Sequence, residues 1–254
     1  MSGPWYPYCG PPPLPTDLLG RWNLDPTLLI VMTAIAGMHL LLLFRSGEWR
    51  QKRCSFVAAW SPILLLFVSP FCALSSALFS VRVAHHVLLI AMIAPLIVLS
   101  LPDRWRAFSF SGAWLTGIFT LHFVILWAWH APVAYAAALS DYLVFWVMQL
   151  SLLGAAVALW LAVLSPRVGL GSTLAVLLGN VIQMGLLGAL ITFARVPLYA
   201  PHFSSTAPFG LSALADQQLA GLIMWVPAVM PYLAAALALL SQHLARIPLA
   251  DRVQ

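Results

Sequence analysis

Charge is what this sequence has least of. Only 7 % of its 254 residues are charged and 62 % are hydrophobic, whereas a soluble domain carries roughly 25 % charged residues. So few charges cannot cover a water-facing surface, which excludes an ordinary soluble domain and leaves an integral membrane protein. The formal charge of +5 gathers into no basic stripe, so nothing points to nucleic acid. The cations are scattered over short loops, where they set topology. The opening MSGPWYPYCGPPPLPTD has neither the basic n-region nor the apolar h-region of a signal peptide. Cys9, Cys54 and Cys72 form no CxxC or other ligand spacing and read as small residues with no shared role. A Cys9–Cys72 contact on the outer side is conceivable, with no support in the sequence. Trypsin-like, P-loop and Rossmann signatures are missing, and no nucleophile can be set beside a base. The expectation is a protein that is not an enzyme.

What fills the space is apolar. A bilayer core takes ~20 apolar residues per helix, and seven runs qualify, at 27–44, 56–78, 83–101, 113–129, 143–164, 173–193 and 218–240. Pro62, Pro70, Pro95, Pro227 and Pro231 fall inside them and predict kinks that neighbouring helices absorb. The second and third runs sit so close that a tight hairpin must join them. The fold class expected is all-α, a polytopic bundle of seven transmembrane helices. It divides into a Pro-rich extracytoplasmic segment at 1–26, a membrane domain at 27–243 and a cytoplasmic tail at 244–254. The Pro-rich segment should be extended, with Trp5, Tyr6 and Tyr8 at headgroup level. Gly179, Gly185, Gly188 and Ala189 on the sixth run, with Ala155 and Ala156 on the fifth, allow close helix approach.

Counting cations gives the orientation. Arg21, Arg82 and Arg195 fall on one side, and Arg45, Arg50, Lys52, Arg53, Arg104, Arg106, Arg167, Arg246 and Arg252 on the other. The positive-inside rule then puts the N-terminus outside and the C-terminus in the cytoplasm. His85, His86, His130 and His202 lie towards the outer face with Asp141 and Asp216, and His39 and His243 nearer the cytoplasm. His122 lies about two turns below His130, roughly 12 Å, and at that depth must pair inside the bundle. Asn180, Gln183 and Met184 are its candidate partners.

Neutral imidazole is the commonest metal ligand and thioethers suit Cu(I). Seven residues separate His85 from Met92, which predicts a shared helix face, and Arg82 neighbours His86 one turn on. His85 and His86 point about 100° apart, so a site needs ligands from several helices, such as one of the pair with His130. Each outer histidine could equally be an amphipathic ring bonded to water or headgroups. Methionines in membrane helices are mostly packing.

Three stretches carry a resemblance: FSVRVAHHVLLIAMIAPLIVLSLP from Phe79, LWAWHAPVAYAAAL from Leu126, and LADQQLAGLIMWVPA from Leu214, preceded by FARVPLYAPHF from Phe193. With the span pattern, the chain resembles the CtaG-type cytochrome c oxidase assembly family of seven-span bacterial membrane proteins. The resemblance implies residence in the bacterial inner membrane and a part in maturing haem-copper oxidases, usually by delivering copper to the oxidase's buried copper site. Carried over by position, the family's outer histidines fall on His86 and His130, and its acidic residue on Asp216, before Gln217 and Gln218. Relatives usually have histidine where this chain has Arg82, and a Glu-His pair where it reads Met148-Gln149.

Two main readings are open. In the first, the chain is a copper-handling assembly factor that holds Cu(I) through His85 or His86 together with His130, with Met92 or Met224, and with His202 as a gate. Arg82, His122, Asp216, Gln217 and Gln218 then serve as partner-binding or structural polar groups. In the second, it is a structural accessory subunit or scaffold bound to a respiratory oxidase without handling copper. A copper permease is a third and weaker reading, because polar residues thin out towards the cytoplasm. The partners expected are oxidase subunits and the lipid bilayer, and self-association is compatible with both main readings.

Overall fold

The computed structural model describes residues 7–107 and 109–246. Trp5, Tyr6 and the tail from residue 247 lie outside the described residues. Among those described, the regular elements are all helical. In chain order they are α1 (Pro26–Arg45), α2 (Trp49–Val68), α3 (Pro70–Ala77), α4 (Phe79–Val87), a π-helical stretch (Leu88–Ile93), α5 (Ala94–Ser100), α6 (Asp103–Arg106), α7 (Gly112–His130), α8 (Pro132–Ala138), α9 (Tyr142–Val163), α10 (Leu170–Thr192), α11 (Ala213–Trp225) and α12 (Met230–Arg246), with short 3₁₀ turns between. Six helical rods are long and apolar enough to cross a bilayer, and the pair α2–α3 makes a seventh if counted as one bent span. The chain is therefore a polytopic helical bundle.

Local chemistry explains the breaks. Pro70 has no N–H to continue α2, and the residue before a proline is pushed to extended backbone. Ser69 takes that conformation and its Oγ accepts the Phe71 N–H, starting α3 at a bend of 54°. The expected hairpin between the second and third spans is tighter still, since only Leu78 separates α3 from α4. The third span begins at Phe79, earlier than residue 83, because Asp216 reaches across from α11 to accept the Phe79 and Ser80 N–H groups at 2.6 and 3.2 Å. That early start puts Arg82 inside the helix with no exposed surface, rather than in a loop as the cation count assumed.

Pro95 does not break its span. Ala94 N–H reaches back to Leu89 O, the i→i+5 pattern of a π-turn. The next donor in that pattern would be Pro95, which has none. Ile90 O is left over, and Trp160 of α9 donates its indole N–H to it at 2.9 Å. The extra residue in the turn rotates the remainder of the span by roughly 100°, one residue's share of a helical turn. His85 and Met92 consequently do not share a face: His85 is fully buried and Met92 is 38 % exposed.

The third span forms the centre of the bundle, packed by α2, α9 and α11, and it is the most buried of the candidate spans. The closest approach is between α10 and α11. A Cβ on Gly221 would stand 2.6 Å from Gly188 O, and one on Gly188 would stand 2.8 Å from Gly221 O. Of the small residues expected to permit close approach, Gly188 marks this contact. At the opposite edge α1 leans mainly on α2 and is buried along little of its length.

The described part of the segment before α1 is tied to the bundle. A disulfide joins Cys9 to Cys72 of α3, so two of the cysteines do share a role. Tyr8 donates to Asp25 Oδ2 at 2.6 Å and packs its ring on Tyr142, Phe145 and Trp146. The crosslink and that aromatic cluster fold the segment back over the bundle.

Candidate functional site

The starts of α4 and α9, the end of α7, and the segment between α10 and α11 meet on the face that carries the Cys9–Cys72 disulfide. Two layers are built there. The deeper one is made of imidazoles. His86 and His130 face each other edge to face with ring centroids 5.5 Å apart. Both are buried. His130 Nδ1 lies 2.7 Å from Leu126 O. A carbonyl only accepts, so Nδ1 carries the proton, and the lone pair of Nε2 is free. That nitrogen and both nitrogens of His86 have no hydrogen-bond partner among the described residues. His85 lies 6.0 Å from His86 but turns the other way, as the 100° helical step requires, and is walled by Phe67 and Phe71.

Arg82 stands one turn before His86 and is fully buried. Its guanidinium carbon sits 5.2 Å from the centre of the Phe145 ring, a cation–π contact that offsets part of its desolvation. Tyr135 lies within electrostatic reach, yet Nε, Nη1 and Nη2 make no hydrogen bond of acceptable geometry. Arginine keeps its charge when buried, so the imidazole layer contains a fixed positive charge.

The second layer roofs the first. Tyr135 donates to His202 Nε2 at 2.6 Å, and His202 Nδ1 donates to Ala77 O at 3.1 Å. Ser205 Oγ also donates to Ala77 O, and Tyr199 donates to His130 O at 2.8 Å. Phe79 stacks on Tyr199 with centroids 3.6 Å apart. Both nitrogens of His202 are engaged in this arrangement and it is 2 % exposed. Burial holds its pKa down at about 4, so it stays neutral. Burial likewise pushes the Tyr135 and Tyr199 phenols up, which keeps them as donors. No spacing or charge pattern singles out Tyr135 and Tyr199 in the sequence, although both lie in the stretches that carry the resemblance.

The acidic and amide residues have structural work. Asp216 caps α4 from α11, with Ser80 Oγ as a further donor. Gln217 accepts from Leu198 N at 2.6 Å and donates to Ile191 O and Val196 O, anchoring the segment that becomes the roof. Gln218 is half-buried beside it. Asp141 caps α9 through the Val144 N–H. His39 is tied to Ser100 O and Trp60 Nε1.

His122 is buried at mid-depth with both nitrogens unpaired. Its expected partners are taken: Gln183 accepts from Trp127 Nε1 and donates to Asn180, which donates to Val176 O. An indole further towards the end of α7 captured the amide instead. Gln149 of α9 is 2 % exposed and also leaves both polar atoms unpaired. Among the described residues no group of three or more His, Cys, Asp or Glu is arranged to hold a metal. Any ion here would be held by fewer protein ligands of those types, and Met92 is rotated away from supplying another.

The family model described as cytochrome c oxidase caa3 assembly factor (Caa3_CtaG) covers residues 37–246. No curated protein matches, and no solved structure matches.

Proposed function

The chain belongs to the cytochrome c oxidase caa3 assembly factor family, and from that premise we propose that it helps copper into a haem-copper oxidase by holding Cu(I) between His86 and His130. One observation carries this reading. Two buried imidazoles from different helices face each other at 5.5 Å, with the His130 tautomer already set to offer Nε2. A carbonyl bond at one ring nitrogen that leaves the other free is the usual way a histidine ligand is held and oriented. Cu(I) accepts two nitrogen donors in a nearly linear geometry, so it does not need a third protein ligand. Arg82 limits how tightly a cation is held, which suits cargo that must be passed on. The role is that of a carrier rather than a catalyst. We place it in the bacterial inner membrane with the N-terminal face outward, beside the oxidase it serves.

The test is an anaerobic titration of the purified protein with Cu(I) against a chromogenic chelator. One equivalent should bind to the wild type, and the affinity should fall at least 100-fold in a His86→Ala, His130→Ala double variant. Equal affinity in the two proteins would remove His86 and His130 as the site.

A second reading is favoured by Arg82 and by the closed roof. On this reading the chain is a structural accessory subunit that stays on the oxidase without handling copper. It predicts near-equal stoichiometry with oxidase subunits after mild solubilisation, and full oxidase copper in the double variant.

A further inference from the structure

Each sulfur of the Cys9–Cys72 disulfide is one residue from an aromatic ring that leads to the imidazole layer. Beside Cys9, Tyr8 stacks on Phe145 with ring centroids 5.0 Å apart, and Phe145 carries the Arg82 guanidinium at 5.2 Å. Beside Cys72, Phe71 has its ring 6.3 Å from that of His85. Phe67 stands edge-on to His85 at 4.9 Å, and its carbonyl accepts from Asn23 Nδ2 at 3.1 Å. Among the described residues, 11–22 hydrogen-bond only to one another. The crosslink and Tyr8 are therefore the main ties of that stretch to the bundle.

The two sulfurs are not equivalent. Cys72 lies in the first turn of α3, with its N–H on Ser69 O. The open N–H groups of a helix start favour negative charge there. Asn23 Nδ2 also reaches Cys72 Sγ, at 3.9 Å, a second donor for a charged sulfur. Cys9 lies instead in a turn closed by Gly10 N on Pro7 O, where Gly10 takes a φ of 87°. Cys72 has no exposed surface; what exposure the pair keeps belongs to Cys9, at 9 %, and Pro11 and Pro12 beyond it are exposed. In thiol–disulfide exchange the sulfur that best carries charge leaves, and the other is attacked. Here both criteria agree: Cys9 is the sulfur to attack and Cys72 the sulfur to leave.

We propose that Cys9–Cys72 is a thiol–disulfide exchange site for a dithiol reductant on its side of the membrane, and that opening it releases Tyr8 from the Phe145 ring that holds Arg82. A thiolate of the dithiol attacks Cys9 Sγ. The Cys9–Cys72 bond breaks, and Cys72 Sγ leaves with the electron pair. The second thiolate of the dithiol then attacks the mixed disulfide, frees Cys9, and departs in the reductant's own disulfide. Two electrons and two protons pass from the dithiol to the cysteine pair. Arg82, one turn from His86, then loses the fixed ring against which it stands.

Full-length protein in phospholipid nanodiscs, without denaturant, is given reduced thioredoxin, quenched in acid and labelled with a maleimide of known mass. Mass spectrometry should count one label before treatment, on Cys54, and three after. With glutathione in place of thioredoxin, the trapped adduct should sit on Cys9. Asn23→Asp keeps the side-chain shape but sets a repelling oxygen at Cys72 Sγ. It should move the glutathione equilibrium towards the disulfide on the order of fivefold, the worth of one modest hydrogen bond. Reduction should also speed amide exchange in the first turns of α9, and the Cys9→Ser protein should exchange there as the reduced wild type does. A bond that opens only after unfolding, an adduct on Cys72, or an unchanged equilibrium in Asn23→Asp would overturn the exchange site. Unchanged amide exchange would overturn its link to Arg82. Should Asn23→Asp fail to fold, the thiol count and the position of the adduct decide the matter. None of these readouts uses copper, so the exchange site and the His86–His130 pair can fail separately.

Discussion

Arg82 is a charge in a place that charges avoid. It is fully buried, one turn from His86, with the Phe145 ring against it, Tyr135 within electrostatic reach, and no ion-pair partner among the described residues. Charges on neighbouring turns, about 6–8 Å apart, interact by roughly 2–3 kcal/mol at an effective dielectric near 20. Replacing Arg82 with glutamine should therefore tighten Cu(I) binding more than tenfold in the same chelator titration. A weaker or unchanged affinity would mean that the ion does not sit within reach of the guanidinium. His202 supports a separate expectation. Its pKa falls from an ordinary 6.5 to about 4 on burial, so in the unfolded chain it takes up a proton first. Its contribution to stability is complete above pH 6.5 and is lost as pH drops from there towards 4, on the order of 3 kcal/mol. Thermal unfolding of His202→Gln should show a shallower decline over that window than the wild type. A parallel pair of curves would show that some other group carries the dependence.

Among the elements, the contact of α10 with α11 has the least room to give. Gly188 and Gly221 let the two backbones meet, and a Cβ at Gly221 would lie 2.6 Å from Thr192 N and from Gly188 O. The obstacle is backbone, so no rotamer change relieves it. Gly221→Val should cost at least the ~1–3 kcal/mol typical of overpacking, or roughly 3–10 °C in melting temperature. An unchanged melting temperature in detergent would indicate that the helices separate at little cost. The same pair matters to the site, because α11 supplies Asp216 to the start of α4 and Gln217 to the roof segment. The third span shows how one element absorbs a proline. A π-turn and one indole from α9 replace the bond that Pro95 cannot make, and the price is a change of phase beyond the histidines.

For the whole molecule, orientation is the property that function depends on. We propose that the N-terminal face lies outside, as the positive-inside rule expects from the cation count; the Cys9–Cys72 disulfide lies on that face, and disulfides persist in oxidising compartments. Cys54 is free and exposed near the start of α2, at the opposite face. A membrane-impermeant maleimide should label it in inverted vesicles and not in right-side-out spheroplasts. The reverse pattern would turn the molecule over and put the imidazole pair on the cytoplasmic side.

Much of this architecture was legible in the residues, because the signals are local. Low charge and apolar runs of bilayer length specify a membrane bundle whatever the runs pack against, since lipid offers backbone groups no other partner. Periodicity separated His85 from His86 for the same reason: a 100° step belongs to the helix alone. The rest depended on what lies across from each residue. That His130 meets His86, that His202 bonds to Tyr135 and Ala77, and that Gln183 takes Trp127 rather than His122 are outcomes of packing between helices distant in sequence. The phase of Met92 was decided there too, because a π-turn is stable only where a neighbour such as Trp160 takes up the carbonyl it leaves free. Sequence set which groups enter the membrane and at what depth; tertiary contact alone chose their partners, because a hydrogen bond or a shared ion needs two groups in one place.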